Sequence, residues 1–228
     1  MSTGLSDKAM SPNIVAPQVE GHIYLVEDDD AMRESMRRIL ASQGYRVYPF
    51  ADPQKFLEFV MPVSPTMVLL DMRMPGMTGV EVQARLRAMG MDMPIVFVSG
   101  ESTVQQAVTA LEEGALKFLI KPVSRVELLR AVCEALERDV LRAATEKKRL
   151  HLDSHLAKLA PREREALALM LDGHGNAEIS KRMGIAYATA KQYKANILLK
   201  MNVQNMAEVI DLMRLSPPSW RVTQESAL

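Results

Sequence analysis

Two apolar runs in this chain stop abruptly on carboxylates. Met67-Val68-Leu69-Leu70 ends at Asp71, and Ile23-Tyr24-Leu25-Val26 ends at Glu27-Asp28-Asp29-Asp30. Strand-length runs that end this way belong to the C-terminal edge of a parallel sheet, where ligands gather. Glu27, Asp28 and Asp71, brought together on such an edge, repel one another unless a cation lies among them. An all-oxygen donor set of this kind suits Mg²⁺ with retained waters. A carboxylate beside such a cation is still a nucleophile towards an activated phosphoryl group, whose charge the cation neutralises. Lys121, after the run that ends at Ile120, places a second cation on the same edge, and Ser99 offers a hydroxyl to a phosphoryl oxygen. One such residue after one strand is ordinary loop punctuation. Four strands of one sheet that each end on a matched group point to phosphoryl transfer onto a carboxylate.

A second constellation lies nearer the C-terminus. Asn176 to Gly184, followed by Ile185 to Lys194, reads as a helix, a short glycine-containing turn and a second helix, the pattern of a helix-turn-helix. On the second helix Ala190, Ile197 and Met201 share one face and are expected to pack inward. Ala188, Gln192 and Ala195 point the opposite way, with Lys191 on their flank. That outer face is narrow enough to enter a major groove, with Lys191 and Gln192 reaching base edges. Thr189, Tyr193, Lys194 and Lys200 are better placed for phosphates. The blander alternative is a helical bundle with a solvated basic face. Charge favours DNA: residues 1–141 hold 14 Lys and Arg against 19 Asp and Glu, whereas residues 142–228 hold 14 against 9. The zero net charge of the whole chain therefore hides a basic C-terminal part.

The elements that must position these residues follow from periodicity. Strands are expected at 22–26, 46–49, 67–70, 95–99 and 116–120. Helical stretches lie between them, one carrying Met32, Met36, Ile39 and Leu40, another Val80, Val82, Leu86 and Met89. Asp52-Pro53 fits a helix N-cap followed by proline, and Ser102 to Gln105 and Ser124 to Glu127 fit capping boxes. The expectation is a doubly wound α/β domain with a five-stranded, flavodoxin-like parallel sheet over residues 21–138. From Val126 to about Leu159 there is no Pro or Gly, so a helical linker is expected over 139–154. An all-α domain follows over 155–216, with helices at 162–171, 176–183, 187–201 and 205–215. Residues 1–20 and 217–228 read as tails.

The single cysteine, Cys133, excludes an intramolecular disulfide and a thiolate zinc cluster, and its place in a helical apolar pattern predicts a buried thiol. The first twenty residues carry no apolar run, so neither a signal peptide nor a membrane span is expected there, and the chain reads as soluble and cytoplasmic.

Residues 22 to about 138 resemble a response-regulator receiver domain. The resemblance is carried by Val26-Glu27-Asp28, by Leu70-Asp71-Met72-Arg73-Met74-Pro75-Gly76-Met77-Thr78-Gly79, by Val98-Ser99-Gly100 and by Ile120-Lys121-Pro122. It implies that Asp71 is the phosphoacceptor and that Glu27, Asp28, Asp71 and the main-chain carbonyl of Arg73 hold Mg²⁺. It further implies that Ser99 and Phe118 form a switch pair and that Lys121 senses the phosphoryl group. Phe118 stands where the family often has tyrosine, keeping the ring without its hydroxyl, and Glu27 replaces aspartate with its charge kept. Residues 155–216 resemble a LuxR-type domain of the NarL/FixJ regulators, through Pro161 to Glu165, Asn176 to Ser180, Met183-Gly184-Ile185 and Lys200-Met201. Departures are Ala160 for a hydroxyl N-cap, Ala186-Tyr187-Ala188 for a turn with Ser and Pro, and Ala190 and Tyr193 for Val and His. They bear on which bases are read.

Together the two resemblances imply a two-component regulator and not an enzyme. Its partners would be a cognate histidine kinase, double-stranded promoter DNA, a second copy of itself when phosphorylated, and RNA polymerase. Phosphorylation would draw Ser99 inward, let Phe118 fill the vacated space, and repack the neighbouring face. A haloacid-dehalogenase-like phosphatase also uses a strand-end aspartate, but it needs an acid two residues on, where this chain has Arg73. A receiver with a protein-binding output is the other rival, and salt-dependent binding to DNA would count against it.

Overall fold

The computed structural model describes residues 20–100 and 104–214; the expected tails and the Ser102–Gln105 capping box lie wholly or partly outside them. The chain divides between Ala143 and Ala144 into two compact units. In the first, strands β1 (His22–Val26), β2 (Arg46–Phe50), β3 (Thr66–Asp71), β4 (Ile95–Ser99) and β5 (Lys117–Ile120) are all parallel, in the order β2-β1-β3-β4-β5. Helices α1 (Asp30–Ala41), α2 (Pro53–Phe59), α3 (Gly79–Ala88), α4 (Val104–Glu112) and α5 (Arg125–Leu156) connect and follow them.

Both faces of the central strands are covered, which is why β1, β3 and β4 are continuous apolar runs rather than alternating ones. Side chains still alternate between two cores. Tyr24, Val26, Val68, Leu70 and Phe97 pack with Phe56 and Leu57 of α2 and Val82 and Leu86 of α3. Ile23, Leu25, Met67, Leu69, Val96 and Val98 pack with Met36 and Leu40 of α1 and Leu128, Val132 and Leu136 of α5. The chain leaves β1 for β2 on one side and returns to β3 on the other. A crevice therefore opens at the C-terminal ends of β1 and β3, where Glu27 and Asp71 stand.

Local signals place the helices. Asp52 accepts from the Gln54 N–H at 2.8 Å to start α2, and Ser124 and Glu127 form the expected reciprocal cap of α5. Thr78 and Glu81 form a second such box at the start of α3.

Helix α5 runs unbroken for 32 residues and corrects two expectations. Cys133 is exposed, not buried, because the stripe facing the sheet is Leu129, Val132 and Leu136, and Cys133 sits one step round from it. Asp139, placed by sequence in the linker, is 0 % exposed: its Oδ2 accepts from the Thr66 N–H at 2.9 Å, while Oδ1 accepts from Arg142 at 2.8 Å. The carboxylate thus satisfies the first N–H of β3. Asp139→Ala leaves that buried donor unpaired and is expected to cost the first unit about 1–3 kcal/mol. Urea unfolding of the variant measures this, and an unchanged midpoint would refute the tie.

The second unit holds α6 (Pro161–Leu171), α7 (Asn176–Met183), α8 (Tyr187–Met201) and α9 (Met206–Met213). Its core joins Leu152 and Leu159 to Ala166, Leu167, Ile179, Met183, Ala190, Ile197, Met201 and Val209. Gly184 ends α7 at φ 66°, a left-handed conformation that glycine adopts without strain. Ser180 closes the same turn, its hydroxyl donating to the Ile185 carbonyl at 2.6 Å.

Candidate functional site

The crevice of the first unit brings together the residues expected there. Carboxylate oxygens of Glu27, Asp28 and Asp71 lie within 4.8 Å of one another. Glu27 is only 1 % exposed, Asp71 is buried and Asp28 is exposed, so the cluster is dry at its base and open at its mouth. Lys121, carried by the end of β5, donates to Glu27 Oε1 at 2.9 Å and to Asp71 Oδ2 at 3.1 Å. Its Nζ is also 2.7 Å from Glu27 Oε2, but without the angles of a hydrogen bond, so Oε2 is a buried acceptor with capacity unspent. An oxygen-only donor set with an unsatisfied carboxylate oxygen at its base fits a hard divalent cation.

Electrostatics agree with the geometry. Burial, with the Asp71 charge adding to it, pushes the Glu27 carboxyl up to about 7 against the pull of Lys121. Burial works against the Lys121 charge as well, yet its bonds to Glu27 and Asp71 win and hold its pKa above the ordinary lysine value. Because Glu27 is raised in the folded state, its charge penalises the fold increasingly as pH climbs from the unfolded value near 4.5 to about 7, and no further above that. A cation that needs the ionised carboxylate must displace a proton below about pH 7. Mg²⁺ affinity, followed by thermal shift, is therefore expected to fall by up to about tenfold per pH unit below 7 and to be flat above it. A constant affinity from pH 5 to 8 would contradict this.

Several side chains hold the crevice in shape. Arg33 donates to the main-chain oxygens of Glu27 at 2.7 Å and Asp28 at 3.2 Å, and pairs with Asp30. It pins the loop after β1, and only its position one turn into an amphipathic helix could have flagged it. Gly79 lets α3 approach the site: a Cβ there would lie 2.5 Å from the Asp71 carbonyl oxygen. The Arg73 N–H reaches Asp71 Oδ1 at 3.3 Å. Ser99 is buried at the end of β4, and the half-buried Phe118 packs against Phe97 with ring centres 6.4 Å apart.

In the second unit, Ala190, Ile197 and Met201 of α8 are buried, while Ala188, Lys191, Gln192 and Ala195 are exposed along one side. Thr189, Tyr193 and Lys194 are half-buried on its flanks. Lys200 differs from its expected role: its Nζ is 2.6 Å from Oε2 of Glu163, which is buried. It works inside the domain, where Glu163 also accepts from the Ala160 N–H at 2.8 Å. Burial opposes the Glu163 charge, but Lys200, the Ala160 N–H and the Asn196 side chain outweigh it and hold the carboxyl below the usual range. Alanine has no side-chain acceptor, so at α6 only the Glu163 half of a capping box forms.

Residues 23–133 match the response regulator receiver domain family, and residues 157–213 match the bacterial regulatory proteins of the luxR family. Nodulation protein W of Bradyrhizobium diazoefficiens is 34% identical over 194 residues, which is 85% of this chain and 84% of that protein. The chain belongs to the NarL/FixJ family of response regulators. The transcriptional regulatory protein FixJ of the same organism is 34% identical to this response regulator over 85% of its chain and 94% of FixJ. Among solved structures, the response regulator StyR superposes with a TM-score of 0.75 at 34% identity, covering 86% of this response regulator and 99% of StyR. Full-length FixJ from B. japonicum gives 0.54 at 33% identity over 86% of this response regulator and 96% of that chain. The response regulator is thus a transcription regulator with a receiver and a LuxR-type DNA-binding domain. Among its described residues no helix is long and apolar enough to cross a membrane.

Proposed function

We propose that Asp71 accepts a phosphoryl group from a cognate histidine kinase and that this modification controls DNA binding by the C-terminal domain. The observation that carries the reading is the convergence of Asp71, Glu27, Asp28 and Lys121 at the switch point of the sheet. An Asp71 carboxylate oxygen attacks phosphorus; its O–P bond forms as the N–P bond of a phosphohistidine breaks, and the electron pair stays on the departing imidazole. Glu27, Asp28, Asp71 and the Arg73 carbonyl would hold Mg²⁺, which supplies charge neutralisation at the transferring group. Lys121 is already bonded to Asp71 and follows its new charge, while Ser99 and Phe118 relay the change. Ala188, Thr189, Lys191, Gln192, Tyr193, Lys194 and Ala195 form the DNA face. The phosphorylated protein pairs with a second copy on a two-fold promoter site in the cytoplasm, and RNA polymerase is its further partner there.

The test is intact-mass analysis after incubation with a small-molecule phosphodonor and Mg²⁺. Wild type gains one phosphoryl group that is lost in alkali, as an acyl phosphate is, and Asp71→Asn gains none. Equal labelling of the two proteins would overturn the assignment.

A further inference from the structure

We propose that Gln192 reads an adenine in the operator, through an amide oriented on the helix surface by Asn196. The inference rests on the DNA-binding reading and deepens it by naming a base.

Gln192 lies on the exposed side of α8 between Ala188 and Ala195, one turn away in each direction. Both neighbours end at a methyl group, so neither adjoining turn of α8 blocks Gln192, and a glutamine of ordinary reach meets a base edge in a major groove. Its Nε2 donates to Asn196 Oδ1 at 2.8 Å. The half-buried Asn196 side chain thus takes one amide hydrogen of Gln192 and orients that amide along the helix.

One N–H of Gln192 is used by Asn196. The carbonyl oxygen and the other N–H remain for a ligand. An acceptor beside a donor is the complement of adenine in the major groove, whose N6 amino group donates and whose N7 accepts. Guanine presents two acceptors there, and cytosine presents one donor. Neither complements that edge as fully. Asn196 acts as a positioning residue, and Gln192 as the reading one. An exposed hydrogen bond between side chains four apart on a helix is weak, so losing Asn196 costs little discrimination compared with losing Gln192.

The test starts from the duplex that full-length, phosphodonor-treated wild type enriches from a randomised pool. Each adenine of its half-site is then replaced in turn by 7-deazaadenine, which has C–H in place of N7. At one position the replacement is expected to weaken wild type roughly ten- to hundredfold. Gln192→Ala should be indifferent to that replacement and should lose less affinity for random DNA than for the selected duplex. Asn196→Ala should keep the preference but with about twofold less discrimination. Insensitivity of wild type to 7-deazaadenine at every position would overturn the proposal, as would an undiminished adenine preference in Gln192→Ala. A loss of random-sequence affinity in Gln192→Ala equal to its loss on the selected site would also overturn it and make Gln192 a phosphate contact. Failure of wild type to bind any duplex would instead overturn the DNA-binding reading, and this inference with it.

Discussion

Lys121→Ala is expected to lower the stability of the metal-free receiver by about 3 kcal/mol, and added Mg²⁺ should restore much of the loss. Glu27 and Asp71 are buried, and the Lys121 ammonium within 3.1 Å of both is the cation that the crevice itself supplies. Its removal leaves two carboxylates facing each other in a site with little water. Without that cation the Glu27 carboxyl, already pushed up to about 7, moves higher still. A divalent cation neutralises the same oxygens and stabilises by mass action. The measurement is urea unfolding of wild type and variant with and without Mg²⁺. A variant as stable as wild type without cation, or one that Mg²⁺ leaves unchanged, would show that the carboxylates are not the partners the geometry makes them.

Glu163→Ala is expected to destabilise the other domain by about 2 kcal/mol and to leave the receiver untouched. Glu163 performs two tasks with one carboxylate. It caps α6 through the Ala160 N–H, and it neutralises Lys200. Loss of a cap alone costs roughly 1 kcal/mol, and loss of the partner of Lys200, whose side chain is one-third exposed and can hydrate, adds up to about 1 kcal/mol. Glu163→Gln should fall between, since it keeps an acceptor for Ala160 and loses the charge. Scanning calorimetry separates the outcomes: the transition of the DNA-binding domain moves down, and that of the receiver does not. Coincident shifts of both transitions, or no shift, would contradict the account.

These two residues also show what a sequence makes legible. Lys121 was readable because its neighbours in chemistry each end a strand, and a parallel sheet collects strand ends on one edge. Asp71, Glu27 and Asp28 were readable on the same ground. Lys200 was read as a phosphate contact because its partner Glu163 lies 37 residues away, with no pattern of spacing to join them. Asp139 was hidden for a similar reason: nothing in a stretch of charged helix announces that one carboxylate turns back to cap a strand 73 residues earlier. Cys133 was misplaced because apolar periodicity fixes a helix face only to within a residue, and Leu129, Val132 and Leu136 already fill the stripe. Gly79 belongs to the same class, since its need to lack a side chain arises from the backbone of Asp71. Strand ends that a parallel sheet collects on one edge were legible, and side-chain contacts between distant helices and strands were not.

The central claim is that a charge added at Asp71 alters what the C-terminal domain does on DNA. Its most direct test is the affinity of full-length protein for the selected duplex, at fixed salt, with and without phosphodonor and Mg²⁺, alongside Asp71→Asn. Coupling between sites of this kind is typically 5- to 150-fold. The account predicts a gain within that range for wild type, accompanied by the acyl phosphate, and no gain for the variant. Equal affinity of phosphorylated and unphosphorylated wild type would contradict it.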